Sequence, residues 1–456
     1  MKSLNLLNTA QHKAIDHIYE YGETFIIGDM GSGKTVVVLA AINDLLKDGH
    51  VKRALIFSTP KICKTVWQQD AADWEELAHL APLMAVCTGS TPAAERQAAV
   101  ENKDNKILLV TFDLAPWFFQ TFKHSHGCDM LVIDESTKIA AGGKQFKAMR
   151  SYLRDFHTRV ITTGTPVEEH WQNVFYQAMV CDNGASLGRS KSLFLSRFFY
   201  PVDYQGYKWD LRLGGDKSIF SKIKHLICTL PDYRHELPPL TIELNYIELD
   251  TESRDYYENF SATMVDHKRD VEAPNAGVLG EKLRQIANGF IYRTNEEDQR
   301  QVFYIHNLKQ KALSYVLRQA TEKKVIIAWN FKEELKRALK ILPVGSYIEL
   351  DPQNVEQSIE HWKNTPTCKY LIMHPKSASH GLRLEKASLL VLLSPIWSRD
   401  GWLQLIARMH RRGQLKPCRA VVLVAKNTVD EKELSVIEDK AENTELLKIS
   451  LSGLKN

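Results

Sequence analysis

Three absences exclude whole classes of protein. The seven cysteines stand singly, with no Cys-x-x-Cys pair, which excludes a zinc ribbon and a disulfide framework. No apolar run reaches the ~18 residues of a membrane span, and the first residues lack a signal-peptide core. The formal net charge of +4 is small for 456 residues, so any surface for an acidic polymer has to be local. We therefore expect a cytoplasmic protein with reduced thiols and two or three domains.

Two parts of the chain alternate short β-rich runs with helical patterns, which predicts an α/β fold with two parallel-sheet lobes in tandem. The first lobe covers residues 1–182, and its strands are apolar throughout, as in strands buried on both faces. Residues 183–238 break the alternation and predict a helical or irregular protrusion and linker. The second lobe covers residues 239–436 and begins with a helical insertion, and residues 437–456 predict a charged helical tail. The predicted strands are Phe25–Ile27, Ala54–Phe57, Ile107–Val110, Met130–Ile133 and Arg159–Thr162, then Thr241–Leu249, Val325–Trp329, Tyr370–Met373, Leu389–Leu393 and Ala420–Val424.

A phosphate-binding loop is the strongest motif. It follows the first predicted strand, opens a helix, and consists of Gly28, Asp29, Met30, Gly31, Ser32, Gly33, Lys34 and Thr35. Its glycines let backbone N–H groups curl around phosphates, and the helix N-terminus adds its dipole. Lys34 supplies a mobile positive charge, and the Thr35 hydroxyl can ligate Mg²⁺. The motif predicts binding of ATP together with Mg²⁺.

An acidic pair, Asp134 and Glu135, ends another apolar strand. There Asp134 can hold Mg²⁺ through water, and Glu135 can orient and deprotonate the attacking water. Such a pair alone also fits a strand that ends in a solvated loop. Because it follows a phosphate loop by about a hundred residues, hydrolysis is the favoured interpretation. The next strand ends at Thr163–Pro166, which fits either an ordinary turn or a sensor of the γ-phosphate.

Two arginines near the far end of the chain, Arg408 and Arg411, share one face of a predicted helix. Brought against an ATP held by the other lobe, their guanidinium groups would stabilise charge on the transferring phosphoryl group. The same spacing fits a basic, solvent-facing helix end, where cations suit the helix dipole. The spacing alone leaves both interpretations open.

The order of the motifs GDMGSGKT, DEST, TGTP and QLIARMHRRGQ resembles that of superfamily 2 helicases, in particular their Swi/Snf branch of DNA translocases. The matches extend over nearly the whole chain. This resemblance implies two RecA-like lobes and a monomeric, DNA-dependent ATPase that translocates along double-stranded DNA without sequence specificity. It also implies a catalytic set of Lys34, Asp134, Glu135, Arg408 and Arg411, with Gln11, Gly381 and Gln404 joining the phosphate loop as nucleotide contacts.

The sequence departs from the family pattern at several positions. Ser136-Thr137 replace the Ala-His of the family's DEAH, which implies altered coupling between the lobes. In motif V, Arg383 replaces an Asn and can add a phosphate contact. Cys228-Thr229 stand where the family has an arginine pair, so family-type regulation between the lobes is not expected.

The resemblance also places nucleic-acid contacts on both lobes. Hydroxyl and lysine contacts to phosphate give affinity without sequence readout, although each lysine taken singly also fits a solvated surface residue. A basic cluster between Lys208 and Lys224 is a further possible backbone contact. The predicted contacts are Lys61, Lys64, Trp67 and Thr111 in the first lobe and Lys332, Lys376, Ser377 and Arg383 in the second.

Two other functions stay open. A strand-separating DNA or RNA helicase uses the same motifs, and a DNA-binding switch or scaffold would keep them without turnover. The intact catalytic set argues against the switch. No accessory reader domain is recognised, which favours a compact motor of a bacterium or virus, acting in the bacterial cytoplasm or the infected host cell.

Overall fold

The chain divides into two units near residue 233. The computed structural model describes residues 1–434, apart from 30, 165, 168–169, 205–207, 232–236, 295–299, 380–381, 397–398 and 412. The predicted helical tail over 437–456 therefore lies outside the described residues.

A seven-stranded parallel sheet forms the centre of the first unit. Its core strands are buried along their whole length, because apolar runs in a parallel sheet are covered by helices on both faces. All five strands predicted here are confirmed. The strands of this unit are β1 Glu23–Ile27, β2 Ala54–Ser58, β3 Met84–Cys87, β4 Ile107–Thr111, β5 Met130–Asp134, β6 Thr158–Thr163, β7 Phe199–Pro201, β8 Trp209–Leu211 and β9 Ile227–Thr229. The order in the sheet is β3-β4-β2-β5-β6-β1-β9.

Helices cover both faces of this sheet. The first helix begins with a capping box, in which Asn8 and Gln11 satisfy each other's backbone N–H groups. After β2 the chain forms a π-helical turn over Ile62–Val66, which is followed by a short α-helix. The α-helices are α1 Thr9–Tyr21, α2 Lys34–Lys47, α3 Trp67–Asp73, α4 Ala93–Glu101, α5 Ala115–Phe122, α6 Lys144–Met149, α7 Val174–Asp182, α8 Lys191–Phe198 and α9 Gly215–Ile223.

The segment predicted as a helical or irregular protrusion and linker contains strands as well as helices. It consists of α8, an antiparallel β7–β8 hairpin, α9 and the strand β9. This last strand pairs in parallel with β1, so the segment completes the first sheet. The prediction missed the three strands because strands of three residues are too short to show a periodic pattern.

A second parallel sheet, with six strands, forms the centre of the second unit. The five strands predicted here are confirmed. The strands are β10 Leu240–Ile247, β11 Val265–Asp266, β12 Val271–Glu272, β13 Phe290–Thr294, β14 Arg300–Tyr304, β15 Val325–Ala328, β16 Tyr347–Glu349, β17 Tyr370–Met373, β18 Leu389–Leu392 and β19 Cys418–Ala425. The order in the sheet is β10-β19-β18-β15-β17-β16. The helices are α10 Thr251–Thr263, α11 Ala276–Ala287, α12 Leu308–Gln319, α13 Lys332–Leu339, α14 Val355–Asn364 and α15 Arg399–Met409.

The insertion at the start of the second lobe has its own small core. Helices α10 and α11 pack their apolar faces together around Tyr257, Phe260 and Ile286. The two parallel sheets with their helices confirm the predicted α/β fold of two RecA-like lobes. In the described part of the chain, every helix is too short or too polar to cross a membrane.

Candidate nucleotide-binding and catalytic site

Three neighbouring strands of the first sheet each end in one of the predicted motifs. Strand β1 leads into the phosphate loop, β5 into the acidic pair and β6 into the turn that begins at Thr163. These strands lie side by side in the order β5-β6-β1 and are parallel. The motifs therefore meet at one edge, the carboxyl edge at which α/β sheets bind their ligands.

The phosphate loop is held by the elements around it. The Gly28 N–H donates to the carbonyl of Thr163 at 3.1 Å, which joins the loop to the end of β6. Gly33 has φ +86°, and a Cβ atom there would lie 2.3 Å from Gln11 Nε2. Only glycine fits this position, because both the backbone conformation and the neighbouring amide exclude a side chain. Helix α2 begins at the next residue, so its first N–H groups point toward the loop.

Lys34 lies folded against its own loop. Its Nζ donates to the carbonyl of Gly28 at 2.6 Å and to that of Asp29 at 3.1 Å. The hydroxyl of Ser32 is buried without a hydrogen-bond partner among the described residues. A buried hydroxyl in this condition needs an acceptor, and a phosphate oxygen supplies one, so the loop fits the predicted nucleotide. Met30 lies outside the described residues.

Gln11 connects α1 to the phosphate loop. Its Oε1 accepts the N–H of Asn8, and its Nε2 donates to the carbonyl of Ser32, both at 2.9 Å. The side chain is buried. The resemblance implied that this glutamine contacts the nucleotide, and the structure gives it the further role of fixing the loop's shape.

The carboxylate of Asp134 is held at the end of β5 by hydroxyl groups from the strands on either side. Oδ2 accepts from Ser58 Oγ at 2.8 Å, and Oδ1 accepts from Thr162 Oγ1 at 3.1 Å. A carboxylate and the Thr35 hydroxyl are oxygen ligands of the kind that Mg²⁺ prefers. Within the described ranges no group of three or more His, Cys, Asp or Glu side chains could hold a metal ion. Mg²⁺ in proteins usually keeps several waters and binds through one or two carboxylates together with phosphates of the substrate.

Glu135 has an uncommon backbone conformation for a residue with a side chain, with φ +67°. Such conformations cluster at active sites, where the surrounding structure maintains them. Its Oε1 accepts hydrogen bonds from Thr163 Oγ1 at 2.9 Å and Thr137 Oγ1 at 3.2 Å. Thr137, one of the departures from the family pattern, therefore helps to orient the predicted base.

Ser136, the other departure in this motif, links the acidic pair to the turn after β6. Its buried hydroxyl donates to Gln177 Oε1 at 2.6 Å, and Gln177 Nε2 donates to the carbonyl of Pro166 at 2.8 Å. These two hydrogen bonds connect the acidic pair with the turn after β6 inside the first unit, and the predicted change in coupling between the lobes stays a prediction. Sequence reasoning missed Gln177, although a glutamine inside the apolar run of α7 is a signal for a buried polar contact.

The predicted arginines belong to the second unit, where they join motif V. The N–H of Leu384 donates to the carbonyl of Arg408 at 3.0 Å, and Arg411 Nη1 donates to the carbonyl of Leu382 at 3.3 Å. Gln404 and Arg408 lie half-buried on α15. Motif V and the QLIARMHRRGQ motif, which contains both arginines, are thus joined by hydrogen bonds. Gly381 lies outside the described residues.

Comparison with known proteins identifies the family. The SNF2-related domain matches residues 11–312, and the helicase conserved C-terminal domain matches residues 308–413. The chain belongs to the SNF2-related family. This membership confirms the predicted enzyme class, an ATP hydrolase of the helicase type, and the predicted function of a DNA-dependent motor.

Relatives of this SNF2-family chain come from a phage and from yeast. The putative protein p41 of Acyrthosiphon pisum secondary endosymbiont phage 1 is 27% identical over 441 residues, which cover 92% of this chain and 93% of that protein. The DNA repair and recombination protein RDH54 of Saccharomyces cerevisiae (strain RM11-1a) is 23% identical over 479 residues, which cover 93% of this chain and 51% of that protein. The chain thus spans about half the length of the yeast protein. The solved Sulfolobus solfataricus SWI2/SNF2 ATPase core in complex with dsDNA is 19% identical, with a TM-score of 0.44 over 98% of this chain and 96% of that one.

Two of the predicted DNA contacts in this SNF2-family ATPase are wrong. Trp67 is only 1% exposed and packs in the core between α2, α3 and the sheet. Thr111 ends a central strand and is 0% exposed. Side chains without exposed surface cannot contact a polymer, so these two residues support the fold of the first lobe.

The other predicted contacts are accessible to different degrees. Lys61 and Ser377 are half-buried, and Lys64 donates to Ser90 Oγ at 2.9 Å. Among them, the cations with exposed side chains are Lys64, Lys332, Lys376 and Arg383.

A buried acid holds the residues that precede α13. The carboxylate of Glu334 accepts the N–H groups of Asn330 at 2.7 Å and Phe331 at 3.1 Å, and burial raises the pKa of this carboxyl group. Asn330 Nδ2 in turn donates to Ser394 Oγ at 2.8 Å. These bonds hold the start of α13, so the exposed Lys332 is carried by a rigid base.

Proposed function

We propose that this SNF2-family ATPase hydrolyses ATP to move along double-stranded DNA without separating the strands. The observation that supports this proposal is the arrangement at the edge of the first sheet. There the phosphate loop, Asp134 and Glu135 meet, and hydroxyl groups orient both carboxylates. A decayed ATPase that served only as a scaffold would have no use for that orientation.

In this proposal, each catalytic residue has one task. Lys34 and the loop N–H groups bind the phosphates, and Glu135 removes a proton from the attacking water. Thr35 and Asp134 would hold Mg²⁺, which neutralises charge on the phosphates when bound. Arg408 and Arg411 of the second unit stabilise the transferring phosphoryl group.

The polymer contacts in this proposal are backbone contacts. The exposed cations Lys64, Lys332, Lys376 and Arg383 bind phosphates, which gives affinity without sequence preference. We propose that the protein acts as a monomer. We also propose that it acts in the bacterial cytoplasm or the infected host cell, a proposal that agrees with its similarity to a phage protein.

The ATPase rate with different nucleic acids tests the proposal. We expect double-stranded DNA to stimulate turnover more than single-stranded DNA or RNA, and scrambled duplex sequences to stimulate equally. Duplex binding should weaken log-linearly with salt, because bound cations are released from the DNA. Stimulation by RNA alone, or by one duplex sequence alone, contradicts the proposal.

A further inference from the structure

The segment that separates the two lobes along the chain carries most of the excess positive charge. Residues 183–230 contain eight Lys and Arg against three Asp, a net charge of +5, whereas the whole chain carries +4. The rest of the chain is therefore close to neutral. The basic surface expected of a protein that binds an acidic polymer is concentrated in this one segment.

The β7–β8 hairpin is the part of this segment with the most exposed aromatic surface. Phe199 and Leu211 pair across the hairpin and face the core. Tyr200 alternates with Phe199 and is 44% exposed, and Tyr204, near the turn, is fully exposed. An exposed tyrosine next to a turn buries nothing in this chain, so its apolar ring contributes no folding energy there.

A rigid base supports the hairpin. Gln172 Nε2 donates to the carbonyl of Trp209 at 3.2 Å, and Lys191 Nζ donates to the carbonyl of Gln172 at 2.6 Å. The N–H of Arg212 donates to the carbonyl of Phe198 at 2.9 Å, which ties the end of the hairpin to α8. The exposed tyrosines therefore project from a fixed position.

Charges of both signs lie near these tyrosines: Asp210 pairs with Tyr200 across the hairpin, and the exposed Lys208 and Arg212 stand two residues to either side of Asp210. Lys208 lies opposite Val202, whose N–H donates to the Lys208 carbonyl at 2.9 Å. Arg212 Nη2 reaches the carbonyl of Ser196 at 3.4 Å, which places this guanidinium beside the last turn of α8 and its exposed Arg197. Aromatic rings interleaved with cations are the surface that binds single-stranded nucleic acid, because the rings stack on bases while the cations bind phosphates.

We propose that the β7–β8 hairpin binds unpaired nucleotides, through base stacking on Tyr200 and Tyr204 and phosphate contacts from Lys208 and Arg212. The proposal rests on the proposed function in one respect, namely that the substrate is DNA. It adds a substrate class, duplex DNA that contains a single-stranded gap or junction. An apolar protein partner is disfavoured because its surface would desolvate these cations.

The test compares binding to two DNA substrates in the absence of ATP. One is a blunt duplex, and the other is the same duplex interrupted by a gap of unpaired thymidines. For Tyr200→Ala/Tyr204→Ala we expect a loss of affinity of about tenfold or more for the gapped DNA, and no change for the blunt duplex. Tyr315→Ala is the matched control, since this tyrosine is 58% exposed on α12 of the other unit.

The charged residues give a second, independent measurement. Lys208→Ala/Arg212→Ala should lower the salt dependence of gapped-DNA binding by about 0.7 in slope for each DNA phosphate that the variant no longer neutralises. Equal affinities of wild type and the tyrosine variant for gapped DNA would overturn the proposal, and so would equal reductions in affinity on both substrates. A wild type that prefers gapped DNA but has no DNA-stimulated ATPase would overturn the proposed motor function and leave the hairpin assignment standing.

Discussion

Hydroxyl groups orient the two carboxylates to which we assign catalytic roles. Asp134 is held by Ser58 and Thr162, and Glu135 by Thr137 and Thr163. A hydrogen bond to a charged group contributes about 1.5–3 kcal/mol, and preorganised groups cost no reorientation during the reaction. The orientation of the site is therefore built from neutral residues, two of which, Thr137 and Thr163, belong to the DEST and TGTP motifs.

Lys34 and Glu135 should differ in the step that their substitution affects. Lys34→Ala removes a phosphate ligand, so we expect no DNA-stimulated turnover in a protein that stays folded. Glu135→Gln keeps the size of the side chain and removes the base, so ATP should bind and not turn over. Binding of a fluorescent ATP analogue and release of phosphate measure the two steps, and circular dichroism controls for folding. Near-normal turnover in folded Lys34→Ala, or loss of ATP binding in Glu135→Gln, would contradict these roles.

Two threonines at the ends of buried strands in the first sheet provide a matched pair of substitutions. Thr163→Val removes the hydrogen bond to Glu135, and we expect kcat to fall about tenfold or more with ATP affinity unchanged. Thr111 is buried with its hydroxyl unpartnered among the described residues. Thr111→Val should therefore change neither turnover nor duplex affinity. A large loss of DNA binding in Thr111→Val would restore its predicted role as a DNA contact.

At the scale of elements, α15 and the residues that follow it are hydrogen-bonded to motif V. The bond between the Leu384 N–H and the Arg408 carbonyl, together with the bond from Arg411 to the Leu382 carbonyl, makes the two motifs move as one body. Arg408 and Arg411 are therefore positioned by motif V, the segment that also contains the exposed Arg383. If nucleic acid binds at motif V, as we propose, these hydrogen bonds connect it directly to the arginines.

Each arginine should affect turnover much more than ATP affinity. Arg408→Ala and Arg411→Ala remove charge that acts on the transition state, and a true arginine finger is worth on the order of 10³-fold or more in kcat. Lys416→Ala, an exposed cation just beyond the motif, is the control for a general loss of charge. Steady-state kinetics with saturating duplex DNA give both constants. If both arginine variants kept the wild-type kcat, α15 would instead be a basic, solvent-facing helix without a catalytic role.

Long buried strands could be predicted from the sequence, whereas short strands, strand order and the direction of single side chains could not. Buried strands such as β5 were predicted because three or more aliphatic residues in a row are distinctive, whereas β9, with three residues, was not. The bond from Ser58 to Asp134 was missed because it depends on β2 lying next to β5, and strand order is not local information. Trp67 was assigned to DNA because a motif gives a residue's position along the chain, and burial depends on which way the side chain faces.

For the whole molecule, each of the two units has its own apolar core. Both faces of each sheet are covered, by one pair of apolar clusters in the first unit and by another pair in the second. Separate cores are what the proposed motor needs, because two lobes that move relative to each other with each ATP must not share one core.

The effect of the motor on DNA can be tested with a triplex and a fork. The described residues between β18 and α15 form a loop marked by Pro395, which Asn330 holds through its bond to the Pro395 carbonyl, and they contain no hairpin that could separate strands. If both lobes track the backbone of a duplex, the protein should displace the third strand of a triplex in an ATP-dependent way and fail to unwind a forked duplex. Glu135→Gln is the control that binds ATP without turnover. Efficient fork unwinding without triplex displacement would favour a strand-separating helicase, and loss of that unwinding in Tyr200→Ala/Tyr204→Ala would identify the β7–β8 hairpin as its wedge.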